Sequence, residues 1–419
     1  MTEKTAGKSL GVVGLAVFLS AALGYPVLIV AGRGLNPADG AVFLAFWGVV
    51  FGIGSALSPI EQEVSRLSAH ADLRGGRVGP TALRTVAVAV IAVGVLGAVL
   101  ALPPVAERIY SADDISLGLI ALASSVAFAL QFGTRGVLIG FREVKPYGGL
   151  LVTEAGVRIL LLCALLVLGV TGLLPISVSV ALGSFAFLPF LVKARKHVDF
   201  VGDAEPWSVV ARRTLLLMLS AGLTASVLTG YPAVAKFFAA KEDLDALGSL
   251  FFALSLARVP LLLLSPVQAM AVPTVVRLLQ DEDGHRRLVS LLIRGTLAAF
   301  VLAGLGGLAG WLIGPWGVRL LFGDQHVVAG WAVAGLVWSS VLLGAVLLLA
   351  AVLVARKQPG RVLLTWAVVA AMSVLVLAFT PGDMVLRSVF GLVVAPTVGV
   401  FVALGLVVRA GSRDTSVTG

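Results

Sequence analysis

Long apolar stretches separated by short polar segments run through the whole sequence, and each stretch is long enough to form a membrane-spanning helix. A helix needs roughly 20 apolar residues to cross a hydrocarbon core about 30 Å thick. The pattern therefore predicts an all-α polytopic membrane protein with six helices in residues 1–200 and six in residues 201–419. The twelve predicted spans are residues 9–31, 40–59, 85–103, 114–132, 150–172, 173–192, 214–235, 246–267, 289–312, 328–354, 361–380 and 386–408.

Composition agrees with this pattern and removes several classes of protein. The 419 residues are 59% hydrophobic and 13% charged, whereas about a quarter of the residues in a soluble domain are charged. The formal net charge of +9 is accounted for by basic loops beside the spans, so we expect no nucleic-acid partner. The one cysteine, Cys163, excludes an intramolecular disulfide and a thiol-rich metal site.

The basic residues fall mainly in alternate loops, which predicts the orientation of the chain. With the N-terminus inside, most of the 31 Lys and Arg residues lie in cytoplasmic segments. Short cytoplasmic loops carry this excess in membrane proteins. The sequence thus predicts a multi-pass protein of the cytoplasmic membrane with both termini inside. The few basic residues left in the outer segments are Arg33, Arg108, Lys236, Lys241, Arg319 and Arg387.

An internal repeat relates the two halves. Gly24-Tyr25-Pro26 recurs as Gly230-Tyr231-Pro232, although the chain has only 4 tyrosines. Leu57-Ser58-Pro59-Ile60 is matched at nearly the same offset by Leu264-Ser265-Pro266-Val267. We interpret the chain as a duplication of a six-helix lobe. Because each half has an even number of spans, the predicted repeat is parallel, about an axis along the membrane normal.

The repeated tripeptides predict matched breaks in the first and seventh spans, because proline removes a helix hydrogen bond. We predict a hinge or gate there, while a belt of interfacial tyrosines is the alternative. Arg33 and Lys236 follow these breaks at the outer rim. They would receive or release an anion there, or would simply solvate two helix ends. The gate residues are Gly24, Tyr25, Pro26, Gly230, Tyr231 and Pro232.

Few ionisable residues fall inside the predicted spans, and such residues are costly enough to indicate function. Glu154 and Arg158 are spaced to pair on one face of the fifth span. Arg258 lies in the eighth span, and both arginines would sit roughly 12 Å from the cytoplasmic surface. These three residues form the predicted substrate site. The alternatives are neutralisation of Arg158 by Glu154, and binding of Arg258 to backbone carbonyls freed by Pro260 or its extension toward the interface.

No pattern for catalysis or metal binding occurs within the predicted spans. The 4 histidines fall in predicted loops, and Glu61 and Glu63 are expected to cap and solvate the end of the second span. We therefore expect no enzyme activity, no cofactor and no metal.

Two segments resemble a known superfamily. Gly34-Leu35-Asn36-Pro37-Ala38-Asp39-Gly40, before the second span, is similar to the segment before the second helix of polysaccharide flippases. Asn36 replaces their usual glycine, and their tyrosine after the acidic residue is absent. The stretch from Arg258-Val259-Pro260 through Ser265-Pro266 to Val272-Pro273 resembles their eighth helix. With two six-helix halves, the chain thus resembles the multidrug/oligosaccharidyl-lipid/polysaccharide exporter superfamily.

The resemblance implies a transporter that works by alternating access. Its flippase branch moves an undecaprenyl-pyrophosphate-linked sugar for cell-surface polysaccharide biosynthesis, and its exporter branch needs buried acidic residues. Two arginines against one glutamate favour the flippase, with an anionic lipid-linked sugar, membrane lipids and other polysaccharide-assembly proteins as partners. A cation-coupled multidrug exporter remains the alternative, as does a major facilitator transporter, whose loop signature Ala71-Asp72-Leu73-Arg74-Gly75-Gly76-Arg77 matches loosely. A membrane enzyme is disfavoured because the predicted outer loops are short.

Overall fold

The computed structural model describes residues 14, 20, 22–110, 115–263, 275 and 284–414, and within these ranges the chain is helical without a β-strand. The α-helices are α1 (Gly24–Gly34), α2 (Pro37–Ala56), α3 (Ser58–Leu73), α4 (Pro80–Leu100), α5 (Pro103–Tyr110), α6 (Ser116–Gly140), α7 (Val144–Val167), α8 (Leu173–Leu182), α9 (Leu188–Arg195), α10 (Trp207–Leu228), α11 (Tyr231–Phe238), α12 (Leu244–Ala257), α13 (Val259–Leu263), α14 (Gly284–Phe322), α15 (Gly330–Ala355), α16 (Pro359–Phe379) and α17 (Met384–Asp414).

Eleven helical segments in these ranges are long and apolar enough to cross a membrane. They correspond to the predicted spans from the second to the twelfth, so the all-helical polytopic fold is confirmed. Residues 9–13, 15–19 and 21 of the first predicted span, 9–31, lie outside the described residues. The cytoplasmic placement of both termini stays a prediction.

The chain divides into two compact units, Met1–Phe237 and Phe238–Gly419. In the first unit, α10 packs against α2, α3 and α4. In the second unit, α15 packs against α14 and α17, and α16 packs against α17. The division into lobes at residue 200, which rests on the sequence repeat, stays a prediction.

The sequence Asn36-Pro37-Ala38-Asp39 forms the N-terminal cap and first turn of α2. The Asn36 side chain accepts a hydrogen bond from the Asp39 N–H at 2.8 Å and donates one to the Asp39 carboxylate at 2.8 Å. Pro37 occupies the first helical turn, where its missing N–H costs nothing. Asn36 is therefore a helix cap, a role for which asparagine suits better than most residues.

The second membrane segment is longer than its predicted range of 40–59. A turn at Leu57 separates α2 from α3, and Pro59 lies in the first turn of α3, where proline is tolerated. Since the chain resumes as a helix after the turn, α3 carries its polar residues alongside α6, against which it packs. The paired motif Leu264-Ser265-Pro266-Val267 lies outside the described residues.

Candidate substrate-binding site

A buried ion pair lies within the spans of the first unit. Arg158 Nη2 and Glu154 Oε1 are 2.5 Å apart, four residues apart on α7. The two residues are 6% and 7% exposed, so water screens the pair weakly. The predicted pairing of Glu154 with Arg158 is confirmed, and their role in binding a substrate stays a prediction.

The Arg158 guanidinium has further contacts that fix its orientation. Its Nε donates to the Val180 carbonyl of α8 at 3.2 Å. Its central carbon lies 4.8 Å from the ring centroid of Phe51 and 6.0 Å from that of Phe128. These are cation–π distances, and such contacts are stronger away from water. The guanidinium is thus held by a carboxylate, a carbonyl and two aromatic rings.

Gln131 of α6 completes this group of residues. Its side-chain amide donates to Glu154 Oε2, and the residue is fully buried. With the nitrogen facing the carboxylate, Gln131 Oε1 is left as a buried acceptor without a hydrogen-bond partner among the described residues. Sequence reasoning missed Gln131 because it considered only ionisable residues in the spans. A search for uncharged polar residues there would have found it.

A second, largely buried ion pair joins α6 to α3 and is contacted from α7. Arg135 of α6 and Glu61 of α3 are 2.9 Å apart, and their side chains are 14% and 15% exposed. The Tyr147 hydroxyl of α7 donates to Glu61 Oε1 at 2.8 Å. The expectation that Glu61 solvates a helix end is therefore wrong, because α3 continues past the predicted span and brings Glu61 against α6.

Glu63 also differs from its expected role as a solvated cap. Its carboxylate lies 2.8 Å from Arg66 and 3.2 Å from Arg213 of α10, and its side chain is 10% exposed. Arg213 also contacts Glu205 at 3.0 Å. Glu63 is drawn inward because α10 packs across α3 and supplies a second cation.

The two pairs form one polar series on α3, α6 and α7. Gln131 and Arg135 are one turn apart on α6. Gln131 contacts Glu154 of α7, and the Arg135 guanidinium lies 5.7 Å from the ring centroid of Tyr147, also on α7. From Tyr147 to Arg158 the series follows α7 for roughly 16 Å. We call the residues Arg158, Glu154, Gln131, Arg135, Glu61 and Tyr147 the polar series.

Each Gly-Tyr-Pro tripeptide lies at the start of a helix. Residue 22 is helical, Leu23 forms a turn, and α1 begins at Gly24. Likewise α10 ends at Leu228, Thr229 and Gly230 are non-helical, and α11 begins at Tyr231. Pro26 and Pro232 thus stand in the first turn of a new helix, which proline favours. The predicted break at Gly230 is observed, whereas before Gly24 the chain makes only a turn at Leu23, whose backbone stays in the α region. The function of the two tripeptides as a gate stays a prediction.

The break at Gly230 packs against the glycines Gly48 and Gly52 of α2. A Cβ added to Gly48 would lie 3.1 Å from the Thr229 carbonyl oxygen, and one added to Gly52 would lie 3.6 Å from Gly230 Cα. Tyr231, next in the chain, is 1% exposed, whereas Tyr25 is half-buried. The close backbone approach explains the glycines at these positions.

The other predicted site residues take different environments. Arg33 is exposed at the end of α1, as expected of a solvated helix end. Lys236 is 3% exposed, and its amine donates to the Arg108 carbonyl at 3.3 Å. The solvated alternative for Lys236 is therefore wrong, because this amine lies against the end of α5. Burial lowers the pKa of Lys236 to about 8.

Arg258 is the C-terminal cap of α12 rather than a residue within a continuous helix. Its N–H donates to the Leu254 carbonyl at 3.2 Å, and its own carbonyl accepts from the Leu261 N–H at 3.0 Å. Pro260 follows in the first turn of α13, which accounts for the interruption. Arg258 is half-buried, and its joint role with Arg158 stays a prediction.

His326 was expected in a loop, where it is found, but the structure buries it completely. Its Nδ1 lies 3.4 Å from the Ser249 hydroxyl, and its ring centroid lies 4.7 Å from that of Phe252. Among the described residues, no three His, Cys, Asp or Glu side chains are placed to hold a metal ion.

Comparison with known proteins identifies the fold. No protein-family model matches the sequence. An uncharacterized protein of Mycobacterium tuberculosis (strain ATCC 25618 / H37Rv) is 27% identical over 417 residues, covering 97% of this chain and 93% of the relative. A second uncharacterized protein, from Mycobacterium bovis, is 27% identical over 422 residues, covering 96% of this chain and 93% of the relative.

Two solved structures share the architecture along nearly the whole chain. An inward-facing multidrug resistance MATE family transporter of the MOP superfamily has a TM-score of 0.68 at 15% identity, covering 94% of this chain and 96% of its own. The lipid II flippase MurJ in an inward closed conformation has a TM-score of 0.62 at 13% identity, covering 94% of this chain and 86% of its own. The chain therefore has the fold of the multidrug/oligosaccharidyl-lipid/polysaccharide exporter superfamily, as the sequence resemblance predicted.

Proposed function

We propose that this protein is a flippase that moves an anionic lipid-linked oligosaccharide across the cytoplasmic membrane by alternating access. The substrate class is an undecaprenyl-pyrophosphate-linked sugar or a related lipid, used in cell-surface polysaccharide biosynthesis. One observation carries the proposal: the buried Glu154 and the largely buried Glu61 and Glu63 are each paired with an arginine.

The charges of these carboxylates are already neutralised. Together with Glu205, the three glutamates are matched one for one by Arg66, Arg135, Arg158 and Arg213. A cation-coupled exporter would need a carboxylate available to a proton or a cationic drug. Since these three already accept from guanidinium groups, the described part of the first unit favours an anionic ligand.

Arg158 is the residue we assign to the substrate headgroup. A guanidinium remains charged inside a protein and presents donors in a plane that matches phosphate oxygens. Glu154 has Gln131 as a second partner, so Arg158 can exchange Glu154 for a phosphate while the carboxylate keeps one hydrogen bond. In the absence of substrate, the Arg158 guanidinium is thus neutralised by Glu154.

The superfamily fold supports transport without deciding between substrates. One structural neighbour is described as a multidrug resistance transporter and another as a lipid II flippase, so the exporter function is the alternative that the test must separate. The likeness to these transporters disfavours the major facilitator and enzyme alternatives. Arg258, the tripeptide gate and Arg33 retain their proposed roles in binding, gating and release.

Native mass spectrometry of the protein purified in a mild detergent tests the proposal. We expect a polyprenyl-diphosphate sugar to remain bound to the wild type and to be lost from the Glu154→Gln/Arg158→Gln double variant, which keeps the buried site neutral. Retention of bulk phospholipid alone, together with proton-driven efflux of cationic dyes from proteoliposomes, would show an exporter instead.

A further inference from the structure

An apolar groove opens on the first unit, apart from the polar series. Its volume is about 590 Å³, and it lies between α4, α6 and α9. This volume falls within the roughly 300–1,000 Å³ of small-molecule sites. Val86 and Val90 line it from α4, Val137 from α6 and Leu191 from α9. None of the residues of the polar series lines the groove.

The groove is open sideways, toward the membrane. Ile91 and Leu191, which line it, are 62% and 45% exposed. In a bilayer such side chains contact hydrocarbon. Along α4 the lining runs from Ala82 to Ile91, roughly 14 Å at 1.5 Å per residue. This length matches one leaflet of a hydrocarbon core about 30 Å thick, so the groove is suited to one chain of about that length.

One end of the groove is closed by backbone. The Val78 N–H donates to the His197 carbonyl at 2.9 Å, and the Val78 carbonyl accepts from the Asp199 N–H at 2.8 Å. Val78 and Val198 both line the groove. A chain lying in the groove therefore ends at this bridge, where the spans give way to polar loop.

A cation stands at the same end. Arg195, the last residue of α9, lines the groove and is exposed. The Lys193 amine forms an ion pair with the Glu143 carboxylate at 3.2 Å. Within the described residues, the Arg195 side chain forms no ion pair. An apolar groove with a cation at its polar end complements a lipid with an anionic head, and basic pockets between membrane helices bind such heads.

We propose that this groove binds one acyl chain of an anionic membrane phospholipid, with the lipid phosphate held by Arg195. The length of the groove favours a phospholipid over a polyprenyl carrier, whose chain is several times longer than one leaflet. The site is independent of the proposed transport function, because it uses none of the residues assigned to the substrate.

The test compares lipid retention by charge variants of the full protein. Phosphatidylglycerol and phosphatidylcholine of equal chain length are offered at equal concentration in detergent, and the bound lipid is counted by native mass spectrometry. We expect the wild type to prefer phosphatidylglycerol and Arg195→Gln to reduce that preference about tenfold, as loss of a charged hydrogen bond does. Lys196→Gln is the matched control, since it removes an exposed charge one residue away.

Two groove variants test the chain-binding part. Leu191→Trp fills the groove from its exposed side, and Ala87→Phe fills it from α4. Either should reduce retention of both lipids, with thermal unfolding showing that the fold is kept. Equal effects of Arg195→Gln and Lys196→Gln, unchanged retention in both groove variants, or displacement of phosphatidylglycerol by equimolar undecaprenyl phosphate would each overturn the proposal.

Discussion

Gly183 packs directly against the side chain of Arg158. A Cβ atom added to this glycine would lie 2.7 Å from Arg158 Cγ, closer than atoms of two side chains can approach. The turn between α8 and α9 therefore sets the position of the guanidinium, although Gly183 carries no functional group.

Gly183→Ala should displace Arg158 from Glu154 and the Phe51 ring and reduce transport nearly as much as Arg158→Ala does. Transport of a lipid-linked sugar in proteoliposomes is the measurement. Gly156→Ala is the control, because a Cβ at Gly156 of α7 would meet no atom within 4 Å. Equal, small effects of both substitutions would show that the position of Arg158 is unimportant.

Neutralising the buried pair separates its structural role from its proposed binding role. Arg158→Gln alone leaves Glu154 as a buried charge, which should lower the free energy of unfolding by about 3–5 kcal/mol. Adding Glu154→Gln should recover most of that loss and none of the transport. Stability is measured by thermal unfolding in detergent. A stable double variant with normal transport would show that Arg158 has no part in the mechanism.

Tyr147→Phe removes one of the two bonds to Glu61 and retains the ion pair with Arg135. We expect a destabilisation of about 1.5–3 kcal/mol, the typical contribution of one hydrogen bond to a charged group. Arg135→Gln should cost more, because it leaves the Glu61 carboxylate without its cation. The comparison is made by thermal unfolding, and a larger effect of Tyr147→Phe would mean that the hydroxyl rather than Arg135 holds Glu61 in place.

Gly48→Val should slow transport by obstructing the Thr229–Gly230 break, since a Cβ at Gly48 already lies 3.1 Å from the Thr229 carbonyl oxygen. We expect severalfold slower transport with substrate binding retained, because the polar series is untouched. Gly94→Val on α4 is the control, as a Cβ there meets nothing within 4 Å. If both variants transport normally, the break does not act as a hinge.

Burial of the Lys236 amine should make the stability of the protein depend on pH. Burial lowers the pKa of its amine from 10.5 to about 8. As the pH falls from 10.5 to 8, the unfolded chain binds the proton before the folded chain does, so folded stability falls across that window and levels off below it. Lys236→Met should therefore raise Tm by a few degrees at pH 7, with a gain that shrinks between pH 8 and 10.5. A gain independent of pH, or the same gain from the exposed Lys241→Met, would contradict this assignment.

The second to twelfth spans, the Glu154–Arg158 pair and the helix break at Gly230 could be predicted because each depends on local sequence. Apolar length, a four-residue spacing and a proline after a glycine are visible without tertiary information. Glu61 could not be placed, because its burial depends on α3 continuing beyond the apolar stretch and meeting Arg135 of α6.

The burial of Gln131, Lys236 and His326 was not predicted, for a related reason. An amide has no charge to draw attention within a span, and a lysine or histidine near a loop is normally solvated. Their burial follows from neighbours distant in sequence, such as Arg108 beside Lys236 and Ser249 beside His326. A single sequence shows which residues are polar, but not which helices enclose them.

The loop after α9 has a consequence for the order of folding. Asp199 is bonded to Val78, and the Glu205 N–H donates to the Thr81 hydroxyl at 3.1 Å. These contacts close long loops of chain, which is entropically unfavourable until the intervening helices are in place. Since synthesis proceeds from the N-terminus, this attachment can form only after α4 to α9 have been synthesised. Once formed, it ties the segment before α10 to the start of α4.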